Sequence, residues 1–238
     1  MPKPSLRVER ALLRSGAIRI AGMDEVGRGS LAGPVSVGVA VITAQTRSAP
    51  QGLKDSKLLT AQQRRDLLPR VTRWADAVAV GHASPQEIDA IGLTAALRRA
   101  GWRALAQVTA VDHVLLDGNC DWLTPPQDVL FPDHDRAGTL DLTHHIPVTT
   151  RIKADQQCSA VAAASVVAKV TRDDLMVASA ERFPQYEWQL NKGYASPQHL
   201  AGIRVAGLSG EHRHSWRIAA AQRADAGPAA TRESTLKH

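Results

Sequence analysis

Cysteine is scarce in this chain: Cys120 and Cys158 are the only two in 238 residues. They share no CxxC spacing, which argues against a disulfide framework or a structural zinc site and leaves two ordinary reduced thiols. Long apolar runs are missing as well. Even Ala160 to Val170 is interrupted by Ser165 and Lys169, so no window reaches the length that spans a bilayer. The first residues set Arg7, Glu9, Arg10 and Arg14 between short apolar pieces, without the continuous apolar core of a secretory signal. No internal repeat is present. Together these absences predict a soluble, cytoplasmic protein with no membrane association.

What is present is an ordinary globular composition with a basic bias. Hydrophobic residues make up 44% and charged residues 22%, and the net charge is +6 with a pI near 9.7. The length suits one main domain, expected over 1–223, and the charge favours a polyanionic partner. Nucleic acid leads, although an anionic membrane surface would also suit the charge. From Ala224 onward apolar periodicity stops and a disordered tail over 224–238 is expected.

Short β-branched runs predict strands at 17–24, 34–42, 76–82, 111–116 and 146–152. Thr60 with Gln63 forms a capping-box signature ahead of a basic amphipathic helix. Ser84-Pro85-Gln86-Glu87 is a stronger helix start, opening an Ala/Leu-rich segment that runs to about Val108. Cys158 to Phe183 reads as a buried helix whose small residues permit close approach to a sheet. Helices from Ser196 onward look peripheral. This order predicts a three-layer α/β domain with a mixed five-stranded sheet and a C-terminal helical extension. Residues 121–143, rich in proline and acid, read as an irregular surface insertion.

The chemistry concentrates in Gly22-Met23-Asp24-Glu25-Val26-Gly27-Arg28-Gly29. Two carboxylates close an apolar strand there, and a glycine loop follows. Carboxylates at a strand end hold hard divalent cations, and glycines let backbone amides approach a phosphate or sugar hydroxyl. Acid followed by glycine is also ordinary turn chemistry. Asp117 after the fourth strand and Asp155 after the fifth complete a set of four. If the first and fourth strands are neighbours, Asp24 and Asp117 stand side by side, and cations must offset their repulsion. Glu25 shares the site with Asp24 only if regular pleating ends between them, and Gly27 and Gly29 favour such an ending.

These motifs resemble those of bacterial ribonuclease HII, of the ribonuclease H-like fold. The carriers are the 22–29 segment with Ala32-Gly33-Pro34, then Leu53-Lys54-Asp55-Ser56-Lys57-Leu58 and Leu116-Asp117-Gly118-Asn119. They continue with Lys153-Ala154-Asp155, Ala162 to Asp173, and Asn191-Lys192-Gly193-Tyr194. The resemblance spans nearly the whole globular part. It implies that Asp24, Glu25, Asp117 and Asp155 bind two divalent ions, Mn²⁺ or Mg²⁺, about 4 Å apart, and are the catalytic set. It further implies cleavage of the RNA strand of RNA–DNA hybrids and nicking 5′ of ribonucleotides in duplex DNA, single ones included. Ends would be 5′-phosphate and 3′-hydroxyl, and the cut would initiate ribonucleotide excision. Gly27, Arg28, Gly29 and Tyr194 would read the 2′-hydroxyl and the following sugar, and Lys57 would contact phosphate. The partners implied are nucleic acids, with the protein a monomer.

Two alternatives remain within the fold. A ribonuclease HIII-like enzyme is disfavoured by Arg28 and by the short N-terminal segment, and a non-catalytic nucleic-acid binder by the four acids. Asp55 reads as a turn residue outside the catalytic set. Lys169, Arg172 and Asp173 read equally as a solvated charge cluster or as substrate contacts. His144-His145 and His212 with His214 read as polar surface or capping residues, Asp133-His134-Asp135 as a solvated loop, and Trp216 as an internal anchor.

Overall fold

Every residue from Val35 to Ile42 is buried, so this strand meets protein on both faces, as its near-continuous β-branched run requires. In the computed structural model, which describes residues 3–125 and 146–222, it is the second of five strands. The chain begins with α1 (Arg7–Arg14), β1 (Arg19–Val26) and β2 (Val35–Thr43). A single 3₁₀ turn at Ser56–Leu58 leads to α2 (Ala61–Trp74), β3 (Ala77–Ala83), α3 (Pro85–Ile91) and α4 (Leu93–Leu105). Then come β4 (His113–Asp117), β5 (Val148–Arg151), α5 (Ala154–Gln157), α6 (Ser159–Arg182), α7 (Trp188–Asn191) and α8 (Pro197–Ala206).

The sheet order is β3-β2-β1-β4-β5. β1 and β2 pair antiparallel across the 27–34 loop and β3 pairs antiparallel with β2 after the segment that holds α2, whereas β4 and β5 add in parallel. The expected mixed α/β sheet is therefore present. One face packs on α4 through Val37, Val39, Leu97 and Ala100; the other packs on α6 through Ala40, Ala163 and Val166. Each fully buried Val or Leu there contributes roughly 1.5–3 kcal/mol. The small residues of α6 matter because its backbone lies almost on the sheet: a Cβ at Gly22 would overlap the backbone of Ala160 and Val161, and one at Gly38 the Ala164 carbonyl.

Both capping boxes form, with Thr60 and Gln63 bonding reciprocally at 3.2 and 2.9 Å, and Ser84 and Glu87 at 3.2 and 2.8 Å. The helix from Ser84 does not run unbroken to Val108. It divides at Gly92, whose φ of +79° and ψ of 161° place it outside the helical region, and α4 ends at Leu105. Strand limits shift by one or two residues from the expected ones, and β1 runs on through Glu25 to Val26.

Three surface expectations are corrected by packing. Trp122 and Leu123 are buried against Gly101 of α4, so the start of the 121–143 segment belongs to the core. Residues 126–145, with Asp133-His134-Asp135 and His144-His145, lie outside the described residues, as does the 224–238 tail. His212 is not a surface residue: it is buried with His199, Tyr186 and Trp188, its ring 4.7 Å from Tyr186 and 5.5 Å from Trp188. Arg172 is fully buried beneath the loop that follows β1, and Asp173 is nearly buried where it pairs with Lys169 of α6 and Arg64 of α2. Trp216 packs on the small core around Tyr186 and Trp188, as expected.

α1 supplies a contact that sequence periodicity did not flag. Glu9 is fully buried, and its Oε1 accepts a 2.9 Å hydrogen bond from Ala160 N at the start of α6. Cys158, the residue before that helix, has no capping side chain, so a carboxylate from far away in sequence takes the role.

Candidate active site

Alternation along β1 sorts its two acids. Gly22 faces α6 and Met23 faces the α4 core, so Asp24 faces α6 and Glu25 the other side. The pleat does not end between them: Asp24 pairs with Gly38, Glu25 with Val37 and Val26 with Ser36 in unbroken register. The expectation that the strand would stop there is therefore incorrect. Cross-strand bonding to β2 outlasts the acidic pair, and the glycine loop starts one residue too late to release it.

Asp24, Asp117 and Asp155 do converge on the α6 side. β1 and β4 are adjacent and parallel, with Met23 opposite Leu116, which sets Asp24 beside Asp117 at the carboxyl ends of two strands. Asp117 is held from the next crossover: its Oδ1 accepts from Ala154 N at 2.6 Å and from Asp155 N at 3.4 Å. Lys153 adopts a left-handed φ of +59° to present those two amides. Asp155, almost fully buried, lies 3.8 Å from Lys57 Nζ, whose side chain is 72% exposed. Glu25 stays on the opposite face with Arg28 Nη1 at 3.4 Å, and its Oε2 is buried without a hydrogen-bond partner.

Electrostatics set this cluster apart from an ordinary turn. Burial pushes the Asp24 carboxyl up to about 8; a hydrogen bond with Ser165 opposes the rise, and the charges of Glu25 and Asp117 add to it. Asp155 rises to about 6 through burial and then through Asp117 and Asp55, with Lys57 opposing. Glu25 is raised too, first by burial, and Asp117 again contributes. Burial lowers the Lys57 pKa, but Asp24, Asp155, Asp55 and Asp117 outweigh it and hold the ammonium charged. One lysine does not neutralise four acids. Among the described residues no three acids, histidines or cysteines form a closed ligand cage. An all-oxygen donor set with surplus negative charge and an orphaned carboxylate oxygen fits hard divalent cations such as Mg²⁺ or Mn²⁺.

Asp55 behaves as the turn residue expected: its Oδ1 accepts from Lys57 N at 2.9 Å and caps the 3₁₀ turn. That cap points Lys57 at the cluster. Ser56 Oγ meets Ser165 Oγ at 2.7 Å, so the same turn is tied to the serine beside Asp24.

The loop 27–30 lies at the edge of the carboxylates. Gly27 has φ +84°, and a Cβ there would overlap the Arg172 guanidinium; Gly29 would meet nothing within 4 Å. Leu31 N and Ala32 N both donate to Gly193 O, at 2.8 and 3.2 Å, which brings Tyr194 to the same edge. The Arg172 guanidinium carbon sits 5.4 Å from the centre of the Tyr194 ring and Lys169 Nζ 5.7 Å. On the opposite flank of Asp117 an open cleft of about 440 Å³ is lined by Gly118, Asn119, Thr150, Arg151, Ile152 and Gln157.

The sequence of the chain matches the family model described as Ribonuclease HII over residues 21–219. The chain belongs to the ribonuclease HII family. It is 46% identical over 215 residues to the Ribonuclease HII of Streptomyces avermitilis, covering 90% of this chain and 83% of the relative. It is 37% identical over 212 residues to the Ribonuclease HII of Thermosynechococcus vestitus, covering 89% and 90%. Among solved structures, the ribonuclease H2 of Pyrococcus horikoshii superposes with a TM-score of 0.66 at 25% identity, over 88% of this chain and 98% of that one. In this ribonuclease HII chain the matched region includes all four carboxylates and both ends of the loop-to-tyrosine contact. Sequence reasoning missed Ser165, Ser30 and Arg213 as neighbours of the site, and it read Arg172 equally as a solvated charge or a substrate contact, whereas the side chain is buried behind the loop. Ser165 and Arg172 lie within a quoted motif, but nothing in their spacing shows which way they point.

Proposed function

We propose that this protein is a divalent-metal-dependent endoribonuclease that cuts the RNA strand of RNA–DNA hybrids and nicks duplex DNA 5′ of embedded ribonucleotides, single ones included. The observation that carries this reading is the convergence of buried Asp24 and Asp155 with half-buried Asp117 where two parallel strands end. Asp24, Asp117 and Asp155 would hold two ions, Mn²⁺ or Mg²⁺, from the α6 side, and Glu25, whose carboxyl feels the charge of Asp117 although the strand stays regular through it, would reach them around the end of β1. When bound, such ions supply an activated water and stabilise the leaving 3′ oxygen, giving 5′-phosphate and 3′-hydroxyl ends.

The remaining residues bind and orient. Ser165 orients Asp24, and the Ala154 amide orients Asp117. Lys57, poised at the rim, positions a phosphate without reading sequence. Gly29 supports the recognition role of the loop, because neither its conformation nor any neighbouring atom of the protein requires a glycine there. The bare Cα leaves room for a sugar hydroxyl, and Tyr194 packs on the next sugar. The net charge of +6 supports the approach of a duplex. By this reading the cut begins ribonucleotide removal from DNA.

The test is cleavage in Mn²⁺ or Mg²⁺ of duplexes carrying one ribonucleotide, several, or none, with both product ends mapped. Cleavage 5′ of the single ribonucleotide supports the reading. Cleavage confined to longer RNA tracts points to a ribonuclease HIII-like enzyme, and binding without cleavage to a non-catalytic binder.

A further inference from the structure

Two arginines are fully buried behind the 27–34 segment, and none of the hydrogen bonds of either goes to a carboxylate among the described residues. Arg213 Nη1 donates to Arg28 O at 2.9 Å, and its Nη2 to Gly27 O at 2.6 Å and Gly33 O at 3.2 Å. Arg172 Nε donates to Pro34 O at 2.8 Å, Nη2 to Ala32 O at 3.1 Å and Nη1 to Lys192 O at 2.9 Å. Ser30 joins them: its hydroxyl accepts from Arg172 Nη2 at 2.7 Å and Arg213 Nη2 at 2.9 Å while donating to Gly27 O at 2.9 Å. Two like charges sharing one hydroxyl in the interior are costly for stability alone, since apolar side chains of similar volume fill such space more cheaply.

Their geometry accomplishes something an apolar filling would not. A trans peptide sets its N–H opposite its C=O. Pinning the Gly27 carbonyl inward turns the Arg28 N–H outward, and pinning the Arg28 carbonyl does the same for the Gly29 N–H. Neither amide has an acceptor among the hydrogen bonds of the described residues. Two adjacent outward N–H groups form a cradle for an oxygen. Arg172 also reaches the second element at this edge, through Lys192 O and the face of the Tyr194 ring.

We propose that Arg172, Ser30 and Arg213 are positioning residues that aim the Arg28 and Gly29 amides and the Tyr194 ring at the sugar beside the scissile bond. This rests on the ribonucleotide-cleaving function above and deepens it by assigning the residues that set its selectivity. Ser30→Ala removes one shared hydroxyl and leaves each guanidinium its other carbonyls. Arg213→Lys keeps the charge but cannot reach the Gly27 and Arg28 carbonyls together.

The experiment measures dissociation constants for an all-DNA duplex and for the same duplex with one ribonucleotide, in Ca²⁺. It adds KM and kcat in Mn²⁺, Mn²⁺ affinity, and circular dichroism. The expected result is that both variants fold and bind Mn²⁺ as the wild type does. The preference for the ribonucleotide duplex falls about 5-fold in Ser30→Ala, the worth of one hydrogen bond. In Arg213→Lys it falls on the order of 10²-fold, the cost of an ångström-scale misplacement. All-DNA binding stays unchanged, a split that a merely structural role would not produce. A wild-type preference that survives both substitutions overturns this inference alone, as does a loss of Mn²⁺ affinity in step with the loss of preference. A wild-type protein with no ribonucleotide preference overturns the functional reading and this inference together.

Discussion

Gly27 and Gly29 are two residues apart and meet opposite surroundings, so the same substitution at each should give opposite results. Alanine at Gly27 must adopt φ +84° and place its methyl within the Arg172 guanidinium. The backbone strain costs about 1–2 kcal/mol, and displacing a buried arginine from its carbonyls adds about 1–3 kcal/mol. For a domain of this size the sum lowers Tm by roughly 5–15 °C. Alanine at Gly29 enters open space without a left-handed φ, so the fold gains about 0.4–1 kcal/mol from a stiffer unfolded chain and Tm rises by about 1–4 °C. Its methyl, however, occupies the place proposed for the sugar. The expected kcat/KM on a duplex with one ribonucleotide therefore falls by about 10–10²-fold. Differential scanning fluorimetry and a single-ribonucleotide nicking assay on both variants decide the matter. Full activity in Gly29→Ala would refute the assignment of that space to substrate, and a lowered Tm in Gly29→Ala would refute the packing argument.

Asp24→Asn is expected to abolish cleavage while duplex binding persists, as seen by nicking and anisotropy side by side. In EDTA the same variant should melt higher than the wild type. The unfolded carboxyl ionises near 3.8 and the folded one near 8, so the folded state holds the extra proton and wild-type stability falls as pH rises between those values. The shift bounds the gain of the variant at about 5 kcal/mol near pH 8, and a Tm gain that shrinks as pH rises from 4 to 8 would contradict it. Glu9→Ala should cost about 1–3 kcal/mol by urea unfolding, because it strips the acceptor from the start of α6; Glu9→Gln, which keeps a carbonyl there, should cost less. At Glu87, burial alone would raise the carboxyl, but hydrogen bonds from Arg103, Ser84 N and Arg99 outweigh it and hold the pKa at about 2. That stability is present above pH 4.5 and lost as pH falls toward 2, so Glu87→Gln should flatten the acid limb of a Tm–pH profile in that window.

Local signals carried much of the architecture. The capping boxes at Thr60 and Ser84 form as read, because each is a contact between residues three apart and needs no tertiary help. The five strands fall within a few residues of their expected places, since β-branched runs bounded by turn residues have few alternatives. Misreadings occurred where a distant element overruled the local pattern. Trp122 and Leu123 sit in a proline-rich stretch that looked superficial until α4 offered Gly101 as a seat. Lys169, Arg172 and Asp173 read equally as a solvated cluster or substrate contacts, yet the loop after β1 folds over Arg172, and Asp173 pairs with Lys169 and Arg64. Whether Glu25 turns inward depended on an end to the pleat after Asp24, and eight paired positions with β2 keep the strand regular through Val26.

The sequence by itself determined where acids and glycines gather, with carboxylates near the ends of apolar runs and a glycine loop after the first of them, and a family resemblance along nearly the whole globular part. Those properties are local in the chain, and short-range spacing is enough to read them. Only the tertiary structure decided that Asp24 faces α6 while Glu25 faces away, that a glutamate from α1 caps α6, and that two buried arginines orient the loop. Each of these depends on a partner dozens to more than a hundred residues distant, where burial and hydrogen-bond demand, not sequence neighbourhood, select the contact.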